Sequence, residues 1–212
     1  GTVKAIESRL GPTGFYVDCI VINNDHKYQS INEYNKINDY QNYTNDQIRQ
    51  LIAHAGIVGL GGAGFPSAIK NNPRDDKAIK YVIINGAECE PYLTSDYRLM
   101  LEETDKLIAG IKIQLQLFKN AKAIIAIEDN KPEAINHIKK FIENEFKIEI
   151  ATLKTKYPQG SERVLIKVLT KQVITSKMLP ADVGCIVSNV ASIIAIYEAV
   201  AYNIPLIEKV VT

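Results

Sequence analysis

Short apolar runs alternate with amphipathic segments through the middle of the chain. Tyr81 to Asn85, Ala123 to Ile127 and Lys147 to Leu153 are brief and mostly aliphatic, as is typical of buried parallel strands. Between them, apolar residues at helical spacing predict a long helix from Thr94 or Ser95 to Phe118 and another from Pro132 to Asn144. The order strand, helix, strand, helix, strand predicts an α/β fold: a Rossmann-like, mostly parallel sheet with helices on both faces.

The segment before this region predicts a small β appendage followed by a linker. Phe15 to Ile22 alternates in the manner of a strand and follows a turn rich in Gly and Pro, so residues 1–30 form the appendage. Asn32 to Asn45 is polar and poor in aliphatic residues, which indicates a linker or a surface loop. Asn45-Asp46 then offers an N-cap for a helix that Gly56 ends.

The carboxyl-terminal part of the chain predicts two further helices. Gly160 to Leu169 and Asn189 to Asn203 carry the required apolar spacing. A loop that contains Pro180 and Gly184 joins them.

Composition narrows the classes of protein to which the chain can belong. Its 212 residues are 46% hydrophobic, enough for one sizeable core or a core with a small appendage. The 25 Lys and Arg nearly balance the 24 Asp and Glu, which gives no electrostatic basis for binding nucleic acid. Three widely separated cysteines favour a reducing, cytoplasmic setting, and no apolar stretch approaches the ~20 residues of a membrane span. A start at Gly1 without Met or a leader indicates an excised fragment.

The run from Gly59 to Pro66, Gly-Leu-Gly-Gly-Ala-Gly-Phe-Pro, predicts a loop that holds a phosphate. Glycine permits unusual dihedral angles and close approach, so successive amides can turn towards an anion. Pro66 suits the first turn of a following helix, and Lys70 can return towards the same anion as a point charge. A turn that only permits close helix packing fits the pattern equally well, and the spacing leaves the ligand unnamed. Four glycines share the loop: Gly59, Gly61, Gly62 and Gly64.

Polar residues also follow the predicted strands, where α/β proteins bind their ligands. Glu88 and Glu90 flank Cys89 after the strand Tyr81 to Asn85. Cys89 could be a metal ligand, a reactive thiol or a structural thiol. The structural thiol is favoured, because no His or second Cys is near. A carboxylate there could instead accept hydrogen bonds from a ribose or a flavin chain. Ser161 and Asn189 stand at loop-to-helix junctions and are interpreted as caps. The three histidines show no spacing that suggests a metal site or a triad.

Several of these blocks together resemble a known family. The segments GLGGAGFP with Lys70, NGAECEPYLTSDYRLM, YPQGSE and LPADVGCIVSNVASIIAIYEAV closely resemble the RnfC subunit of bacterial Rnf electron-transport complexes, over nearly everything from Ile48 to Val200. The central domain of that family is similar to the 51-kilodalton-type subunit of respiratory complex I, which binds FMN and NADH. The resemblance therefore gives the glycine loop its ligand, FMN.

The resemblance also assigns residues, with no side chain acting as acid or base. It implies that the phosphate lies on the glycine loop, that other polar groups contact the ribityl chain or ring edge and complete the pocket, and that Phe65 stacks on the NADH adenine. Glu90 and Glu162 would also approach the nicotinamide nucleotide. The implied cofactor-binding residues are Gly59, Gly61, Gly62, Gly64, Phe65, Lys70, Asn85, Glu88, Glu90, Tyr157, Gly160, Glu162 and Asn189. The chain departs from the complex I pattern at Leu60, in place of Arg, at Ala87, in place of Asp, and at Asn71-Asn72-Pro73, in place of a second aromatic.

The function implied is that of the FMN- and NADH-binding domain of a membrane-bound ferredoxin:NAD oxidoreductase that couples electron transfer to ion translocation. Residues 1–30 would be the end of a barrel-sandwich domain and residues 31–212 the flavin domain; SLBB-like and iron–sulfur domains, with the 4Fe-4S clusters, would follow. Other Rnf subunits would hold the protein at the cytoplasmic face of the membrane. The alternatives are an RnfC-like flavin reductase of a soluble pathway, such as cobalamin or amino-acid reduction, and a docking module that has lost the flavin.

Overall fold

The computed structural model describes residues 1–27, 29 and 39–211, and it divides the chain into two compact units, Gly1–Tyr34 and Asn35–Thr212. The first unit contains an antiparallel hairpin of β1 (Thr2–Leu10) and β2 (Tyr16–Asn23). The predicted strand is confirmed as β2, and its partner β1 was not predicted. Half of the predicted linker, residues 32–38, lies outside the described residues, and Tyr40–Asn42 forms one 3-10 turn.

The second unit is built on a sheet of four parallel strands in the order β5-β4-β3-β6. The predicted α/β class is confirmed, as are its three predicted strands. The fourth strand, β6, was predicted as loop, because its apolar residues run directly into the apolar sequence of the last helix with no turn residue between them. The strands are β3 (Tyr81–Gly86), β4 (Lys122–Glu128), β5 (Ile148–Leu153) and β6 (Cys185–Asn189).

Seven α-helices of the described residues cover both faces of this sheet. They are α1 (Asn45–His54), α2 (Ser67–Lys70), α3 (Ser95–Glu102), α4 (Thr104–Leu117), α5 (Pro132–Phe141), α6 (Glu162–Thr170) and α7 (Val190–Tyr202). Helices α1, α4, α5 and α7 pack on one face around a large cluster that includes Ile84 and Ile125. Helix α6 covers the other face, where Leu165 and Ile166 meet Ile83.

Close packing of α4 on α7 holds the larger layer together. A Cβ at Gly110 would lie 2.3 Å from the carbonyl oxygen of Ile193, so only glycine permits the approach of these two backbones. Helix α7 therefore has a fixed position against the sheet, which matters because its first turn reaches the glycine loop. None of the helices in the described part of the chain is long and apolar enough to cross a bilayer.

Two predicted helix features are wrong in detail. The long helix predicted to run to Phe118 is two helices, because Glu103 leaves helical geometry and the Thr104 hydroxyl donates 2.7 Å to the carbonyl of Met100. The cap of α1 is Thr44 instead of Asn45: its hydroxyl accepts from the Gln47 amide, and the Gln47 side chain accepts in return from the amide of Thr44.

Candidate functional site

The glycine loop is closed at its base by backbone hydrogen bonds. The Gly59 amide donates 2.8 Å to the Phe65 carbonyl, and the Gly64 amide donates 3.2 Å to the carbonyl of Gly59. Gly62 and Gly64 have φ angles of 97° and 62°, in the left-handed region where a side chain is strained. The loop thus depends on glycine at these two positions.

The helix after the loop is short, and it begins after Pro66, which was predicted to lie in its first turn. Pro66 is its N-cap and lies outside its first turn, and α2 spans only four residues. A single turn carries little macrodipole, so the groups offered to an anion here are the loop amides and not the helix end.

Three consecutive amides of the loop remain available to a ligand. Gly61, Gly62 and Ala63 are exposed, and their N–H groups donate to no acceptor among the described residues. Free amides on a loop with left-handed residues form a concave site for an anion. The loop therefore fits a phosphate group.

A serine from the last helix anchors the loop. The Leu60 amide donates 2.9 Å to the Oγ of Ser192, whose hydroxyl donates 3.3 Å to the carbonyl of Val58. Leu60, which departs from the complex I pattern, is thus held through its backbone. Ser192 was not predicted as a site residue, since it lies inside an apolar helix.

Lys70 follows the predicted phosphate loop and contacts Glu162, another predicted site residue. Its Nζ donates a 2.7 Å hydrogen bond to the carbonyl of Val187, in the middle of β6, and lies 3.5 Å from Oε1 of Glu162. The lysine therefore joins β6 to the first turn of α6. Its cationic charge sits near the site and is shared with Glu162.

The carboxyl ends of β3 and β6 bring two predicted asparagines side by side. Asn85 and Asn189 are register partners at the last paired position of these neighbouring parallel strands. From β3 the chain proceeds outward to β4 and β5, whereas β6 lies on the opposite side of β3. The two asparagines thus mark the switch point of the sheet, where open α/β folds bind ligands.

Asn85 links two predicted motif blocks. Its Nδ2 donates 2.8 Å to the Gly160 carbonyl, while the Gly160 amide donates 3.3 Å to Sγ of Cys89. A Cβ at Gly160 would lie 3.4 Å from that sulfur and 3.6 Å from the Asn85 side-chain amide, which are ordinary van der Waals distances. Cys89 thus serves as a hydrogen-bond acceptor that joins the loop after β3 to the loop before α6.

Glu88 is buried, and its carboxylate caps α3. It accepts 2.8 Å from the Asp96 amide and 3.1 Å from the Tyr97 amide, and its own φ is 47°. The predicted caps Thr94 and Ser95 make no such bond to a helical amide. Glu90, by contrast, is exposed at the mouth of the site.

A buried lysine supports the loop that carries Glu88. Lys131 is 7% exposed, and its Nζ donates 2.9 Å to the Ala87 carbonyl and 3.4 Å to the Glu88 carbonyl. Glu128, 1% exposed, lies 3.9 Å from the same ammonium group and compensates its charge. Lys131 was not predicted as a site residue, because its hydrogen-bond partners lie in the loop after β3, 44 and 43 residues earlier in the chain.

Asp96 joins Glu88 to Asn189. Its Oδ2 accepts 2.6 Å from Nδ2 of Asn189, and the Asn189 Oδ1 accepts 2.8 Å from the Ala191 amide, so Asn189 is the predicted cap of α7. Burial, with a smaller contribution from the Glu88 and Glu90 carboxylates, raises the pKa of Asp96 to about 6 against the lowering effect of the Asn189 hydrogen bond. Asp96 belongs to a motif block that the sequence singled out, yet its role was not predicted.

Exposed aromatic rings surround the site. Phe65 is 45% exposed on the glycine loop, and Tyr157 is 74% exposed before α6. A cavity of about 530 Å³ is lined by Glu88, Cys89, Glu90, Lys131 and Tyr157, among others. The structure therefore brings the predicted residues to the carboxyl edge of the sheet, in the loop after β3, the loop before α6 and the glycine loop beside β6.

Comparison with known proteins agrees with this geometry. The family model of the Nuo51 FMN-binding domain matches residues 52–198. The chain is 47% identical over 193 residues to the C subunit of a proton-translocating ferredoxin:NAD(+) oxidoreductase complex of Clostridium ljungdahlii, covering 91% of this chain and 42% of the relative. It is 39% identical over 215 residues to the C subunit of the Na(+)-translocating complex of Acetobacterium woodii, covering 100% of this chain and 48% of the relative.

These relatives confirm the predicted resemblance to RnfC subunits, and the chain spans less than half the length of both. Among solved structures, the chain is similar to an NAD+-reducing nickel–iron hydrogenase in its air-oxidized state, with a TM-score of 0.63 and 26% identity. That likeness covers 74% of this chain and 30% of the hydrogenase chain. Neither alternative, a soluble-pathway reductase or a docking module without flavin, is supported by these names.

Proposed function

Because the chain belongs to the family of Nuo51 FMN-binding domains, we propose that it binds FMN at the carboxyl ends of β3 and β6, with the phosphate on the glycine loop. The observation that carries the proposal is the set of three exposed amides, Gly61, Gly62 and Ala63, that donate to no other described residue. Glycine at positions 62 and 64 keeps this surface free of side chains.

The residues around the loop would bind the rest of the cofactor. Asn189 stands against Gly61, with its Cβ 3.5 Å from the position that a Gly61 Cβ would take, so its amide is well placed for the phosphate or the ribityl chain. Asn85 and Glu90 would contact the ribityl chain or ring edge, and Lys70 would add positive charge. When bound, FMN supplies the link between two-electron hydride chemistry and one-electron carriers.

NADH is the proposed reductant or product at the same site. Phe65 offers an exposed ring on the glycine loop for stacking on adenine, and Glu162 and Glu90 offer carboxylates for ribose hydroxyls. The work of the chain is then to hold the nicotinamide against the flavin and to exclude water from between them.

For the longer protein, we propose a role as the NADH-oxidising or NAD-reducing subunit of a ferredoxin:NAD oxidoreductase complex at the cytoplasmic face of the membrane, as the names of the relatives suggest. The iron–sulfur clusters of that role would lie outside this chain. A tagged native protein should sediment with membranes and be released by a salt wash; recovery only from the soluble fraction would contradict this part of the proposal.

A titration that compares FMN with riboflavin tests the cofactor assignment. Flavin fluorescence should be quenched by the purified chain at a stoichiometry of one. Riboflavin, which lacks the phosphate, should bind at least about tenfold more weakly, since a hydrogen bond to a charged group contributes about 1.5–3 kcal/mol. Equal affinity would show that the amides do not hold the phosphate.

A second measurement tests the nicotinamide partner. Under anaerobic conditions, NADH should bleach the visible absorbance of the FMN-loaded chain. A matched titration with the Phe65→Ala variant should require more NADH for half-maximal bleaching, because the ring no longer stacks on adenine. An unchanged requirement would remove Phe65 from the nucleotide site.

A further inference from the structure

We propose that Asp96 is a positioning residue of the flavin site: its carboxyl group fixes the orientation of the Asn189 amide beside the glycine loop, and its charge sets how tightly the loop holds an anion. This inference rests on the proposed binding of FMN. Among the described residues, the hydrogen bonds of Asp96 to predicted cofactor-binding residues go to Asn189 and Glu88, so it acts through them.

The hydrogen bonds of Asn189 leave its amide only one orientation. Oδ1 accepts from the Ala191 amide at 2.8 Å, and Nδ2 donates to Oδ2 of Asp96 at 2.6 Å. A flipped amide would place NH2 against an N–H donor and a carbonyl oxygen against a carboxylate. The second hydrogen on Nδ2 remains for a ligand, and Nδ2 lies 3.7 Å from the Cβ position of Gly61. Asp96 therefore selects the face of Asn189 that the loop's ligand meets.

Asp96 is itself held in place. It lies in the first turn of α3, and its own amide donates 2.8 Å to Oε1 of Glu88. Glu88 belongs to the loop after β3, and Asn189 ends β6, so Asp96 bridges the two strands of the switch point. A shift of α3 would be transmitted directly to the amide beside the glycine loop.

The charges around Asp96 make its ionisation sensitive to pH. Glu88 and Glu90 face it from the loop after β3, Lys131 faces it from the start of α5, and Asn189 donates to it from the end of β6. Burial has the largest effect on the pKa of Asp96, which is raised to about 6. Above that pH a negative charge stands behind Asn189 and repels a bound phosphate. Below it the charge is lost while one oxygen still accepts from Asn189.

Two substitutions of Asp96 separate its role in positioning the Asn189 amide from the effect of its charge. Asp96→Asn removes the charge and keeps an acceptor, whereas Asp96→Leu removes both. The control is Asp105→Asn, an exposed carboxylate in the first turn of α4. The dissociation constant of FMN is measured by fluorescence quenching at about pH 5 and about pH 8. Each variant is compared with wild type at the same pH, so that titration of the FMN phosphate affects both dissociation constants equally.

At about pH 5 we expect Asp96→Asn to bind FMN as tightly as wild type does. At about pH 8 it should bind FMN about fivefold more tightly than wild type, because it lacks one negative charge several ångströms from the phosphate. Asp96→Leu should bind about tenfold more weakly than Asp96→Asn at both pH values, and Asp105→Asn should match wild type. A ratio for Asp96→Asn that does not change with pH would overturn the charge role. Equal affinity of the Leu and Asn variants would overturn the positioning role.

The Asn189 side-chain resonances give a readout without any flavin. In 1H–15N spectra of the free protein, the two Nδ2 protons should shift with a midpoint near pH 6 in wild type and stay constant in Asp96→Asn. Constant shifts in wild type would overturn the inference even if the Leu variant failed to fold. Wild type that binds FMN with no effect of either substitution refutes this inference alone, and wild type that binds no FMN refutes the proposed function with it.

Discussion

Ser192, in the first turn of α7, accepts a 2.9 Å hydrogen bond from the amide of Leu60 through its Oγ. The two residues are 132 positions apart in the chain, and the bond fixes the glycine loop to the helix that follows β6. Because α7 packs closely on α4, the position of the loop is set by the core of the domain. The loop is therefore held in one position by contacts within the domain.

Replacing Ser192 with alanine should loosen this loop. The Leu60 amide would lose its acceptor and the Val58 carbonyl its donor, so we expect the free energy of unfolding to fall by about 1 kcal/mol and FMN affinity to fall severalfold. Urea denaturation and FMN titration measure the two effects. Thr104→Ala is the matched control, since it removes a buried hydroxyl that donates to Met100 far from the loop. If both variants kept full FMN affinity, the anchor would have no role in binding.

Gly62 should tolerate alanine poorly. Its φ of 97° is strained for any side chain, and an L-residue there costs about 1–2 kcal/mol. FMN affinity should fall by about tenfold, because the loop relaxes away from the conformation that presents its amides. Gly14→Ala provides the control, as that glycine has a φ of 82° in the hairpin turn and no neighbour within 4 Å. Equal loss of FMN affinity in the two variants would contradict the assignment of the loop.

Lys131→Met should destabilise the domain. The substitution leaves Glu128 as an uncompensated buried charge and removes a donor from the Ala87 carbonyl, for an expected loss of about 3 kcal/mol in the free energy of unfolding. Adding Glu128→Gln should restore part of that loss. Lys154→Met, which breaks only the exposed pair with Asp129, should change stability by less than about 1 kcal/mol. Urea denaturation of wild type and the three variants measures these effects, and no recovery in the double variant would argue against charge compensation.

Asp96→Asn should alter how stability depends on pH. The pKa of Asp96 is raised from 3.8 to about 6 in the folded protein, so the folded state binds the proton more tightly than the unfolded state and stability falls as pH rises from about 4 to about 6. Above that range the ionised carboxyl costs about 3 kcal/mol, at about 1.4 kcal/mol for each pKa unit. The Asn variant should therefore match wild type near pH 4 and exceed it near pH 8. Thermal unfolding of both proteins across this pH range measures the difference in stability. Parallel curves of stability against pH would show that the pKa of Asp96 is not raised in the folded protein.

The main elements of the fold could be predicted because each depends on local pattern. Three of the four parallel strands are apolar runs bounded by polar residues, and the helices between them have clear periodicity. Strand β6 escaped prediction because Asn189 both ends the strand and caps α7, with no loop between the two elements. The break at Glu103 likewise has no glycine or proline to indicate it.

The candidate site was predictable as motifs and not as contacts. The glycine loop, the Glu88 block and Tyr157 to Glu162 all lie at the carboxyl edge of the sheet, as their positions after strands require. Ser192, Asp96 and Lys131 could not be recognised, because their partners are distant in sequence and each looks locally like an ordinary helix residue. Glu88 shows the same limit: its carboxylate caps α3, a contact no spacing indicates.

The most direct test of the account follows the loop amides themselves. In 1H–15N spectra of the labelled chain, one equivalent of FMN should shift the amide resonances of Gly61, Gly62 and Ala63 and the side-chain amide of Asn189. Resonances at the amino ends of β4 and β5, at the opposite edge of the sheet, should stay in place. Inorganic phosphate at high concentration should move the three loop amides in the same direction. If FMN left those amides unchanged, or shifted only residues away from the glycine loop, the proposal that this loop holds the flavin phosphate would be wrong.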